Sequence, residues 1–201
     1  MLDRHCFLPL AGAAALALSV STGCAEDLAV ERADDVTEGV VTEAGTAGTF
    51  RTSVDASDSV AWRHFSFATG TEVAPADPAS SPDWDLAFQR FHILSNGGVS
   101  GSGGAAVAVI TGQTLADIGA APADSYLEDQ ADGDDDDSVA ESAFSLGDGW
   151  YAYDSATNRL SPHPNVYVVR TGSGAFFKLA IVDYYDAAGT SGHPSFEWAG
   201  L

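Results

Sequence analysis

The chain has 201 residues, room for one domain with a real core or at most two small ones. Its 29 acidic side chains face only 8 basic ones, a net charge of −21. That balance excludes a nucleic-acid partner and a basic patch on anionic lipid, because both need clustered lysine and arginine.

The first 23 residues read as a signal peptide. A short segment with Arg4 precedes an apolar run from Phe7 to Val20, too short and too alanine-rich for a membrane span. Ser21-Thr22-Gly23-Cys24 then resembles a bacterial lipobox with Ser21 where leucine is usual, so Cys24 is the predicted lipidation site. The alternative is an ordinary secretory signal. Cys6 and Cys24 are the only cysteines. The mature chain therefore has no disulfide framework, CxxC metal site or cysteine nucleophile.

Residues 24–49 are small, acidic and aperiodic, and read as a flexible tether. From residue 50 to 201 the signals are those of a single all-β domain of antiparallel strands and hairpins, with little helix. "SVAWRHFSFATG" alternates Val60, Trp62 and His64 against Arg63, Phe65 and Phe67. In "SPDWDLAFQRFHILSNGG" the alternation set by Trp84, Leu86 and Phe88 reverses at Arg90, so that Phe91 and Ile93 become the apolar positions. A bulge near Gln89-Arg90 explains the reversal; the alternative has His92 edging a pocket.

"GGVSGSGGAA", from Gly97, matches GxGxxA but leads into the β-prone "AVAVI" instead of a helix, so it reads as a turn where something packs against backbone. Gln113 to Ala121 is the one helical candidate. "EDQADGDDDDSVAE" places Asp132, Asp134 and Asp136 at alternate positions around Gly133, a weak calcium pattern. Counted from Asp132, the sixth and twelfth positions hold Asp137 and Ala143, where an EF-hand needs glycine and glutamate, so a solvated acidic loop is favoured. "NVYVVRTGSGAFFKLAIVDYYDAAG" reads as two strands around Gly172-Ser173-Gly174, with "SFEWAGL" as a last strand. His64 and His92 fall in strands, His163 and His193 in loops before prolines. No HExxH, GxSxG or other catalytic constellation is present.

"DWDLAFQRFHILSNGGVSGSGGAAVAV", followed by "WYAYDSATNRLSPHPNVYVVRTGSGAFFKLAIVDYYDAAGTSGHPSFEW", resembles the HmuY family of bacterial haem-binding lipoproteins. The resemblance covers roughly Asp55 to Trp198. It implies an all-β, non-enzymatic protein displayed at the outer membrane through its lipid anchor. Such a protein captures haem or a related porphyrin and passes it to a TonB-dependent outer-membrane receptor. For iron this domain offers histidine and tyrosine, since the chain's only methionine, Met1, falls in the signal peptide. His163, His92 and His193 are the ligand candidates. Trp150, Tyr151 and Tyr153 are candidate pocket walls close before His163, and Arg159 is a candidate partner for a propionate. The alternative function is a non-haem binding or interaction module at the cell surface, with calcium at the acidic loop.

Overall fold

The structure, a computed structural model, describes residues 39–133 and 138–201. The signal peptide, Cys24, Asp134 and Asp136 lie outside the described residues. Twelve strands run through the described residues: β1 (Val40–Ala44), β2 (Phe50–Val54), β3 (Arg63–Ser66), β4 (Thr71–Val73), β5 (Leu86–Gln89), β6 (His92–Ser95), β7 (Ala106–Thr111), β8 (Tyr151–Asp154), β9 (Arg159–Pro162), β10 (Asn165–Arg170), β11 (Phe176–Tyr185) and β12 (Ser191–Gly200). They form an antiparallel six-stranded sheet in the order β1-β2-β12-β11-β10-β7, a four-stranded sheet β4-β3-β5-β6, and the separate hairpin β8-β9.

The two larger sheets share one apolar core. Phe65, Leu86, Phe88 and Ile93 from the smaller sheet meet Val54, Tyr167, Leu179, Phe196 and Trp198 from the larger. Phe88 stacks on Phe196 at 5.5 Å, and Phe65 sets its ring edgewise to Phe196 at 5.5 Å and to Trp198 at 5.8 Å. Each buried large apolar side chain contributes about 1.5–3 kcal/mol. The Trp198 indole N–H, buried with them, donates to Thr52 Oγ1 at 2.8 Å and is thereby satisfied. The pairing of Arg170 with Phe176 across Gly172-Ser173-Gly174 matches the hairpin expected there.

Four local expectations are corrected. β1 occupies part of the stretch read as tether, because Val40–Ala44 finds a full antiparallel partner in β2. The strand from Trp84 contains no bulge at Gln89-Arg90. Gln89 pairs with His92 and Phe88 with Ile93, so Arg90-Phe91 is a two-residue hairpin turn, and the reversal of alternation is the chain doubling back. No glycine or asparagine marks that turn. Arg90 itself adopts φ 54°, and its N–H and Nη1 donate to Ala56 O at 2.7 Å and Ser57 O at 2.9 Å, which offset the strain. The helical candidate Gln113–Ala121 shrinks to one 3-10 turn, Leu115–Asp117, closed by the Asp117 carboxylate on Thr114 N–H and Oγ1. Finally, β12 begins at Ser191, so His193 lies in a strand. Pro194 is tolerated there because the β11–β12 register is broken between Asp183 and Tyr185.

Asn96 ends β6 and organises the glycine-rich turn. Fully buried, it donates through Nδ2 to Ser81 O at 2.9 Å and Trp84 O at 2.8 Å, and accepts Gly103 N–H at 3.0 Å on Oδ1. The turn packs against backbone as expected: a side chain at Gly97 would collide with the Ala105 carbonyl.

Candidate functional site

The β5–β6 turn does more than reverse the chain. Its tip, Phe91–Ile93, forms one wall of a cavity of about 530 Å3; residues 139–149 and the start of β8 form the others. Three contacts hold these pieces together. The buried Trp150 indole N–H donates to Phe91 O at 2.8 Å, tying β8 to the hairpin tip. Ser142 Oγ donates to Ile93 O at 2.6 Å and accepts Phe144 N–H at 3.1 Å. The backbones of Gln130 and Glu141 pair at 2.8 and 3.0 Å, closing the base of the acidic loop.

The walls combine one imidazole with aromatic faces. His92 is half-buried, with its ring 4.2 Å from Phe91 and 6.5 Å from Trp62. Tyr151 sets its ring edgewise to Phe91 at 5.9 Å and to Trp150 at 4.9 Å. Tyr153 is 58% exposed at the mouth, its hydroxyl donating to Asn158 Oδ1 at 2.7 Å. Glu141 and Asp148 also line the cavity, and among its described lining residues there is no lysine or arginine.

The structure therefore brings His92 together with Trp150, Tyr151 and Tyr153. His163 is tied by its own N–H to Trp150 O at 2.8 Å, yet it lines a different recess. Arg159 holds its guanidinium 3.8 Å over the Tyr185 ring and does not line the cavity. His193 sits between Asp55 at 3.8 Å and Asp186 at 4.0 Å. Asp132 Oδ2 accepts Ser138 N–H at 3.1 Å. Among the described residues no group of three or more histidines or carboxylates is placed to hold a metal ion.

Sequence reasoning missed Phe91, Glu141 and Asp148 as wall residues. The last two come from the loop between two strands that are not neighbours, and no spacing rule reaches across it. Phe91 was masked by the strand pattern that the hairpin interrupts.

The profile of the family described as HmuY protein matches residues 58–198, a span that contains every wall of this cavity. The chain belongs to the HmuY family. No curated protein matches the chain. Three solved structures share the HmuY-type fold. One, from Bacteroides vulgatus and provisionally named an HmuY-like heme-binding protein, has 19% identity and a TM-score of 0.59 over 80% of this chain and 96% of its own. Another, from Bacteroides fragilis and provisionally named a lipoprotein, has 19% identity and a TM-score of 0.57 over 81% and 96%. The apo HmuY analog of Tannerella forsythia has 17% identity and a TM-score of 0.54 over 82% and 97%. At these identities the likeness is one of fold. The family's matched span begins after β2, so β1 and β2 lie before it.

Proposed function

We propose that this HmuY-family chain is a non-enzymatic binding protein for haem or a related porphyrin, and that the cavity beside His92 is where it binds. The observation that carries the reading is the meeting of the His92 imidazole with Phe91, Trp150, Tyr151 and Tyr153 around one cavity. The Bacteroides vulgatus relative named for heme binding supports it.

Haem needs an axial donor, an apolar slot with ring faces, and a place for two propionates. His92 supplies the donor, and Phe91, Tyr151 and Tyr153 supply the faces. The described wall holds no lysine or arginine, so propionates would have only hydroxyl and backbone N–H donors, or water, to meet there. Bound haem iron would take the imidazole nitrogen as a ligand; the chain's part is to present His92 and to exclude water with the aromatic wall. We further propose export, lipidation at Cys24, and hand-over to a TonB-dependent outer-membrane receptor, as the family resemblance implies.

Hemin titrated into the purified chain is expected to give a shifted Soret band. His92→Ala should weaken binding at least about tenfold, a loss near 1.4 kcal/mol, and His163→Ala should leave it unchanged. A flat titration in both the oxidised and the reduced state overturns the haem reading.

Glu141 and Asp148 on the wall favour a second reading, a surface module for a ligand that is not an anion, with calcium at the acidic loop of Asp132, Asp134 and Asp136. Calorimetric heat and a rise in Tm with calcium, alongside a flat hemin titration, would select it.

A further inference from the structure

The outer face of the six-stranded sheet carries a second recess, of about 650 Å3. Its floor is made by the pairing of strands. Ala180 of β11 lies opposite Glu197 of β12, and the register of Tyr167 with Leu179 sets Val166 of β10 on its other side. The segment from Leu115 to Tyr126 packs over Val166 and Val168, forming a small second apolar cluster with Ile118. That cover does not include Ala180, whose short side chain leaves the floor low. The β1–β2 turn at Thr46 and Thr49 and the loop at His163 also border the recess.

Lys178, the chain's only lysine, lines this recess. Its ammonium donates once, to Ile118 O at 2.7 Å, and keeps further N–H groups to give. Among the described residues no carboxylate lies within 4 Å of it, whereas Arg51 meets Glu197 at 3.9 Å and Arg63 meets Glu72 at 3.1 Å. In a chain with 29 acidic groups, a cation without a carboxylate beside an apolar floor is complementary to a ligand that brings its own.

We propose that this recess binds a small monocarboxylic acid, its apolar body over Ala180 and beside Leu115 and its carboxylate on the Lys178 ammonium. Glu197 borders the floor and disfavours a second carboxylate, which separates this ligand class from porphyrins with two propionates. The recess is distinct from the cavity beside His92, and the proposal stands whether or not haem binds there.

Calorimetry of the full chain with octanoate, octanol and octanedioate tests it. Octanoate is expected to bind, with octanedioate at least tenfold weaker. Lys178→Gln keeps a donor for Ile118 O and should weaken octanoate at least tenfold while changing octanol less than twofold. Ala180→Phe fills the floor from the solvent side and should abolish both, with His92→Ala changing neither. The proposal is overturned if octanoate gives no heat, if it binds equally to Lys178→Gln and Ala180→Phe, or if only His92→Ala weakens it.

Discussion

Asp129 is 3% exposed, with its carboxylate accepting Ser95 N–H at 2.9 Å and Ser95 Oγ–H at 2.7 Å. Burial outweighs those bonds and pushes its pKa up to about 6. A raised pKa means the folded chain holds this proton more tightly than the unfolded one. The stabilisation is full below the ordinary carboxylate value and is lost as pH rises through 6, an effect of about 3 kcal/mol. Buried Asp85 is raised too and acts with the same sign. Half-buried His64 acts oppositely, since burial lowers its pKa and its contribution is lost as pH falls. Below the ordinary carboxylate range, Asp55, held low by its bond from Ser57, begins to lose its contribution. Urea midpoints are thus expected to rise as pH falls from 7 toward 4.5. Asp129→Asn should flatten most of that rise, and an unchanged slope in the variant would refute the assignment. None of this was legible in the sequence, where Asp129 is one acid in an acidic run.

At the scale of elements, the glycine-rich turn from Gly97 is required by close backbone packing. Gly98 has φ +60°, and a Cβ there would run into the Asp129 carbonyl, whose oxygen accepts Val99 N–H at 3.0 Å. Gly98→Ala is therefore expected to cost about 2 kcal/mol or more, from left-handed backbone and from displacement of the 127–130 segment. Thermal unfolding measures it; a loss below half that size would show that the segment yields freely. Because the same segment leads to Gln130, whose backbone pairs with Glu141 of the cavity wall, the variant should also weaken any ligand held beside His92. The β5–β6 hairpin teaches a related lesson. Its strands were legible from Leu86, Phe88 and Ile93, but its turn was not, because Arg90 reaches a positive φ only with the help of Ala56 and Ser57 from elsewhere in the chain.

For the whole molecule, the position of β1 matters most. It forms the edge of the six-stranded sheet, and Thr42 and Thr52 join hydroxyls at 2.7 Å beneath it. Without it, β2 would become an unprotected edge. A chain lacking residues 1–44 should unfold at lower temperature and aggregate more readily than one lacking residues 1–38. Equal Tm values would return residues 40–44 to the tether. The sequence hid this strand because "VVTEA" buries mainly Val40, and so carries little alternation.

Composition, hydropathy alternation and turn residues by themselves determined the all-β class and the β10–β11 hairpin, and the motif stretches from Asp83 and Trp150 carried the family resemblance that the profile match bears out. These are properties of neighbouring residues, governed by period and local conformation. Which histidine shares a cavity with Trp150, Tyr151 and Tyr153 was decided only by the tertiary structure. His92 lies about sixty residues before those aromatics, and the bond from Trp150 to Phe91 O brings them together; His163, close in sequence, lines another recess. Long-range strand pairing sets such distances, and no short-range pattern encodes them.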